Sequence, residues 1–155
     1  MSLLNNDIDG PTYWSGELPV TSRYTFGIAG ETFFRSLKED GKLLGTFCPS
    51  CNRTYVPATS FCERCLGELK EWRDVGLEGK IYTYTVLFKN LDGTNLLHSE
   101  IIAFVKFGDG GIIHRIGEIK PEEIYIGMKV AALLKSKSKR TGSIHDILYF
   151  KPIEK

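Results

Sequence analysis

The residues best equipped for chemistry are four cysteines, set as Cys48-Pro49-Ser50-Cys51 and Cys62-Glu63-Arg64-Cys65, and the chain has no others. Two intervening residues let both thiolates of one turn reach a single metal ion. Ten residues separate the pairs, enough for a short out-and-back ribbon that brings the second turn against the first. Four sulfurs then surround one ion tetrahedrally, as zinc prefers in a closed structural site. The same S4 cage suits iron. With every coordination position filled by protein, a catalytic metal is disfavoured. Disulfides would need an oxidising compartment, whereas Met1-Ser2-Leu3-Leu4-Asn5-Asn6-Asp7 lacks the basic start and apolar core of a secretory signal. A cytoplasmic location is therefore expected. A redox dithiol would use one such pair beside a βαβ pattern, not two on a ribbon.

No catalytic constellation stands out elsewhere. His98, His114 and His145 fall in or next to predicted strands, far apart in sequence and without a paired nucleophile. The chain has no nucleophile elbow, Walker loop or HExxH. Gly108-Asp109-Gly110-Gly111 lies between two apolar runs and predicts a hairpin. A phosphate loop would need a following helix to supply an anion-binding N-terminus.

Three kinds of element must position the cysteines. Residues 29–40 predict a helix, with Phe33 and Leu37 four apart, Phe34 widening the stripe, and Gly41 placed for a left-handed cap. Residues 46–72 predict the metal ribbon. Asn52 sits where the first turn needs a positive φ, Tyr55, Val56 and Phe61 are the expected apolar shell, and Trp72 the expected packing residue between modules. From Gly76 onward the pattern turns to strands at 80–88, 99–107, 112–117, 128–134 and 144–150, with a short helical turn at Pro121. Five strands with that helical piece between the third and fourth match the order of an OB-fold barrel. An open sheet is the alternative, disfavoured because it would expose two strand edges. The expected fold is thus mainly β: an N-terminal helical or extended segment at 1–45, a rubredoxin-like zinc ribbon at 46–74, and a five-stranded OB-fold at 75–155.

The bulk numbers narrow the function. At 155 residues, 42% hydrophobic and 25% charged, this is the composition of an ordinary globular protein. No apolar run approaches membrane-spanning length, so membrane insertion is not expected. Four thiolates and one divalent cation lower the formal charge of +1 by two, to −1. Nucleic acid, which is bound mainly through phosphate neutralisation, is then not a favoured partner.

The order of elements resembles a large prokaryotic family, once catalogued as a domain of unknown function and now described as acyl-CoA-associated. The residues that carry the resemblance are Phe33-Phe34-Arg35-Ser36-Leu37-Lys38, Cys48-x-x-Cys51-Asn52-Arg53-x-Tyr55-x-Pro57, Phe61-Cys62-x-x-Cys65 and Glu71-Trp72. They continue through Gly79-Lys80-Ile81-Tyr82-Thr83-Tyr84-Thr85-Val86, Ile126-Gly127-Met128-Lys129-Val130 and Tyr149-Phe150-Lys151-Pro152. The resemblance spans roughly residues 24–153. Asn52 departs from the family's usual glycine. Membership implies a non-catalytic acyl-CoA-binding or scaffold subunit beside thiolase-like or hydroxymethylglutaryl-CoA-synthase-like enzymes of lipid or isoprenoid metabolism, in place of a stand-alone catalyst. The alternative is a single-stranded nucleic-acid-binding module, for which Tyr82, Tyr84 and Phe88 would share one strand face.

Two residue groups are candidates within that frame. Lys135, Lys137, Lys139 and Arg140 join the predicted fourth and fifth strands, a connection that often touches ligand in OB-folds. They could hold the phosphates of coenzyme A or a nucleic-acid backbone, although charge runs are commonly just solvated loops. Trp14, Tyr24, Phe33 and Phe34 are the expected docking anchors for a partner enzyme, on a segment expected to lie outside both compact modules.

Overall fold

The computed structural model describes residues 25–90 and 92–153. Helix α1 (Gly27–Glu39) precedes a small antiparallel sheet of β1 (Leu44–Cys48), β2 (Arg53–Tyr55) and β3 (Glu71–Asp74), ordered β2-β1-β3. Five further strands follow: β4 (Glu78–Lys89), β5 (Asn95–Phe107), β6 (Gly110–Ile116), β7 (Lys129–Leu134) and β8 (Ile147–Pro152). They close into a barrel in the order β4-β5-β6-β8-β7, the OB-fold arrangement.

Period-two alternation builds the barrel core. In β5, Ile101, Ala103, Val105 and Phe107 are buried while the residues between them are half-exposed. Ile81, Ile112, Ile116, Val130, Ile147 and Phe150 complete the interior. The 108–111 signal is a hairpin as expected: Phe107 pairs with Gly110 across a turn in which Gly108 has φ +60°. At Pro121 the chain makes a turn, closed by the Glu123 N–H on the Lys120 carbonyl, and no helix. The last predicted strand begins late, because Ile144–Asp146 is one turn of 3₁₀ helix.

The expected place of the N-terminal helix is corrected as well. Helix α1 does not stand outside the compact modules. Phe33 (1% exposed) and Leu37 are buried and join Leu43 in the same core cluster as the barrel residues. The helix ends where the Asp40 and Gly41 N–H groups both reach the Ser36 carbonyl, with Gly41 at φ +69°. A side chain that needs burial takes the nearest apolar surface, and here that surface belongs to the protein itself.

Ribbon and barrel meet backbone to backbone. The Gly111 N–H donates to the Val56 carbonyl at 2.9 Å, and the Thr54 N–H donates to the Asp109 carboxylate at 3.3 Å. A Cβ on Gly110 would lie 2.3 Å from the Val56 nitrogen, so only glycine fits. Val56 precedes a cis proline, Pro57.

Candidate metal centre

Two tight turns bring the cysteines together. The first leaves β1 at Cys48 and enters β2 at Arg53, with Asn52 left-handed at φ +51° as expected. The second is closed by the Cys62 N–H on the Gly67 carbonyl and the Leu66 N–H on the Cys62 carbonyl, both at 2.9 Å. Leu66 takes φ +59°, the same position after the cysteine pair that Asn52 holds in the first turn. All four sulfurs lie within 4.8 Å of one another, with Cys48 and Cys65 at 3.6 Å. A tetrahedron of zinc–sulfur bonds of about 2.3 Å has edges of about 3.8 Å, so the four sulfurs fit one ion. Cys48 and Cys62 are buried, Cys51 is half-buried, and Cys65 turns to solvent.

Outer groups bias the sulfurs. The Tyr55 hydroxyl lies 3.1 Å from the Cys62 sulfur, and the Arg64 N–H donates to it at 3.4 Å. The Cys65 backbone N–H and then the Tyr55 hydroxyl draw the Cys62 thiol down to about 6, against its burial. Burial pushes Cys51 up to about 12 and raises Cys48 as well. A lowered thiol pKa at Cys62 favours the thiolate that metal ligation requires. Tyr55, expected only as an apolar shell residue, also supplies this hydroxyl. Phe61, expected in the shell, is exposed, and Leu69 packs there instead.

The other predicted residues are dispersed. The segment 135–146 is an ordered loop built around Asp146, which is fully buried. Its carboxylate accepts the N–H groups of Thr141 (2.9 and 3.0 Å), Gly142 (2.7 Å) and Ser143 (3.3 Å). Burial alone would raise its pKa, but those N–H groups together lower it. Sequence reasoning passed over Asp146, although Ser143-x-x-Asp146 is a capping-box spacing. Arg140 donates from Nε to the Lys135 carbonyl at 2.8 Å and lies against Gly41, so it closes the loop. Lys137 and Lys139 are exposed in a 3₁₀ turn, and Lys135 is half-buried. Phe34 is half-buried between Phe26 and Phe33, its ring 5.2 Å from each. Phe33 lies in the core and not on a docking surface; Trp14 and Tyr24 fall outside the described residues. Trp72 stays partly exposed on β3.

The aromatic face expected on β4 is split. A bulge between Ile81 and Thr83 shifts the register, so that Tyr84 pairs with buried Ala103 and Thr83 with Phe104. Tyr82 stands outside, edge-on to Phe104 at 6.1 Å with Lys106 5.3 Å over its ring, while the Tyr84 hydroxyl turns back to the Ile124 carbonyl. Among the described residues no helix is long and apolar enough to cross a membrane.

Two family models match in succession: "ChsH2, rubredoxin-like zinc ribbon domain" over residues 35–71 and "ChsH2, C-terminal OB-fold domain" over residues 72–135. A DUF35 domain-containing scaffold protein of Methanocaldococcus jannaschii is 33% identical over 127 residues, covering 78% of this chain and 89% of its own. The crystal structure of a DUF35-family protein of unknown function from Sulfolobus solfataricus is similar at 27% identity and TM-score 0.62, covering 81% of this chain and 86% of that one. The structure of an Ltp2–ChsH2(DUF35) aldolase aligns at TM-score 0.60 over 85% of this chain and all of that one. Its 19% identity makes this a likeness of fold alone. With a zinc-ribbon model matched across the four clustered cysteines, the centre is a structural zinc site.

Proposed function

This chain belongs to the DUF35 family, and on that premise we propose that it is a non-catalytic subunit docking onto a thiolase-like or hydroxymethylglutaryl-CoA-synthase-like enzyme that handles acyl-CoA. The M. jannaschii relative is named a scaffold protein, and the Ltp2–ChsH2(DUF35) structure of the same fold is that of an aldolase. The four cysteines are committed to zinc and leave no cysteine nucleophile for acyl transfer.

The observation that carries the reading is an unpartnered strand edge. β4 pairs with β7 only through Glu78–Lys80, and Ile81 closes that side by bonding Met128 and Gly127. From Thr83 to Lys89 no strand among the described residues pairs with this edge. Ile81 to Phe88 carry no charge and no proline, so neither of these two protections of a free edge is present along it. Past the barrel mouth the β4–β5 hairpin exposes Phe88 (63%) and Leu97 (97%). A partner surface would cover them. Lys137 and Lys139, exposed in their loop, are the cations left to meet coenzyme A phosphates.

The test is affinity purification at native expression of the full chain and of a Phe88→Ser/Leu97→Ser variant. A thiolase-like or synthase-like enzyme should come with the first and be lost with the second, whose zinc content and melting curve stay unchanged. Recovery of single-stranded nucleic acid in place of an enzyme would favour the alternative. The Tyr82, Phe104 and Lys106 grouping is the observation on its side.

A further inference from the structure

The barrel wall parts between β6 and β8. These strands run parallel and pair at one position only, Ile116 with Phe150. Beyond it opens a groove of about 530 Å³, within the range of small-molecule sites. Ile113, Ile144 and Leu148 give it an apolar lining, and four basic residues also line it: His114, Arg115, Lys135 and His145. No carboxylate among the described residues lines it. Glu100 pairs with Arg115 from outside at 3.7 Å, and the Asp146 carboxylate is held by its own loop.

Two further features lie at this seam. The Nδ1 of His114 is buried without a well-formed hydrogen bond of its own, on a ring that lies beside the Arg115 and Ile144 backbone and edge-on to Phe150 at 5.9 Å. Buried polar atoms are nearly always paired, so an orphan asks for a ligand. The backbone supplies the second feature. The N–H groups of Gly111 and Gly117 point away from β5, to Val56 and Phe150. Strand alternation gives Ile113 and Arg115 the same direction, where no described strand pairs with them.

We propose that the groove is a binding site for a small anionic amphiphile, a monocarboxylate with a hydrocarbon body. The body lies on Ile113, Ile144 and Leu148. The carboxylate accepts from His114 Nδ1 and the seam N–H groups, with Lys135 and Arg115 supplying positive potential at the rim. Each part answers a separate observation: apolar walls for the chain, unpaired donors for the oxygens, and a one-signed charge for the anion. The site lies within one chain and stands whether or not a partner enzyme is found.

The experiment titrates the full-length zinc-loaded protein with octanoate and, separately, with octanol. It uses calorimetry and nitrogen-15 NMR of the backbone and of the His114 ring. Octanoate should saturate and bind at least roughly tenfold more tightly than octanol, the value of one charge-assisted hydrogen bond. Shifts should centre on Ile113–Arg115, with the His114 ring moving to the tautomer protonated at Nδ1. His114→Phe keeps a ring against Phe150 and should weaken octanoate about tenfold. Lys135→Gln, at the rim, tests the same point should His114→Phe not fold. Absence of saturation up to about 10 mM, equal affinity for octanol, unchanged binding by a folded variant, or shifts centred elsewhere would each overturn the assignment.

Discussion

At the scale of single residues, Tyr55 and Asp146 do work that their types alone do not announce. The Tyr55 hydroxyl meets the Cys62 sulfur at 3.1 Å. Outer groups of this kind commonly carry about 10–100-fold of metal affinity. Tyr55→Phe should therefore release zinc to a competing chelator at about tenfold lower chelator concentration while the ring still packs. An unchanged competition curve would show that the hydroxyl does not serve the sulfur. Asp146 is a different case. Its folded pKa lies below the ordinary value because the N–H groups of Thr141, Gly142 and Ser143 outweigh its burial. A depressed carboxyl pKa stabilises the fold fully above the unfolded value of about 3.9 and loses that stability as pH falls through the folded value. Melting temperature should drop more steeply on acidification below about pH 4 in the native protein than in Asp146→Asn. At neutral pH the variant should cost about 2 kcal/mol, since the amide leaves buried donors unpaired. Parallel acid profiles would refute this.

At the scale of elements, the β5–β6 hairpin is the joint between ribbon and barrel. Its turn brings Asp109 to the Thr54 N–H and Gly111 to the Val56 carbonyl. Gly110 makes the approach possible, because any Cβ there would sit 2.3 Å from the Val56 nitrogen. The obstacle is backbone, which cannot swing aside as a flexible side chain would. Gly110→Ala should lower stability by roughly 2–3 kcal/mol and shift the amide resonances of Thr54 and Val56. Gly93→Ala serves as the comparison, since nothing lies within 4 Å of its Cβ and only its left-handed backbone resists. If the two variants melted alike and Thr54 did not move, the close approach would be refuted.

At the scale of the whole molecule, α1 decides what counts as the folded unit. Phe33, Leu37 and Leu43 are all buried in the shared core. Losing side chains of this size costs about 2–5 kcal/mol each, against a total stability of about 5–15 kcal/mol. A chain lacking residues 1–44 should fail to give a cooperative melt. A chain lacking only residues 1–24 should fold and load zinc. That shorter deletion also removes Trp14 and Tyr24, and its capture of a partner enzyme compared with the full chain measures what those two contribute. Cooperative melting of the longer deletion would place α1 outside the core after all.

The amino-acid sequence by itself determined the features that are local or periodic. Cysteine spacing specified the metal cluster because two residues between ligands fit one turn, whatever surrounds it. Asn52, Gly41 and the 108–111 turn were legible because few residues accept a left-handed backbone. Alternation marked the strands, and their order implied the barrel. The tertiary structure decided whatever depends on which distant surface a side chain meets. The stripe of α1 is the same in sequence whether it covers a partner or the protein's own core; packing placed Phe33 inside. A one-residue bulge left Tyr82 outside and set Tyr84 opposite buried Ala103, against the simple alternation of β4, because side-chain direction in a strand reverses with each step of register. The groove beside His114 exists only because β6 and β8 meet at a single pair. Nothing local to Ile113-His114-Arg115 records that separation, since it is set by strands far apart in the chain.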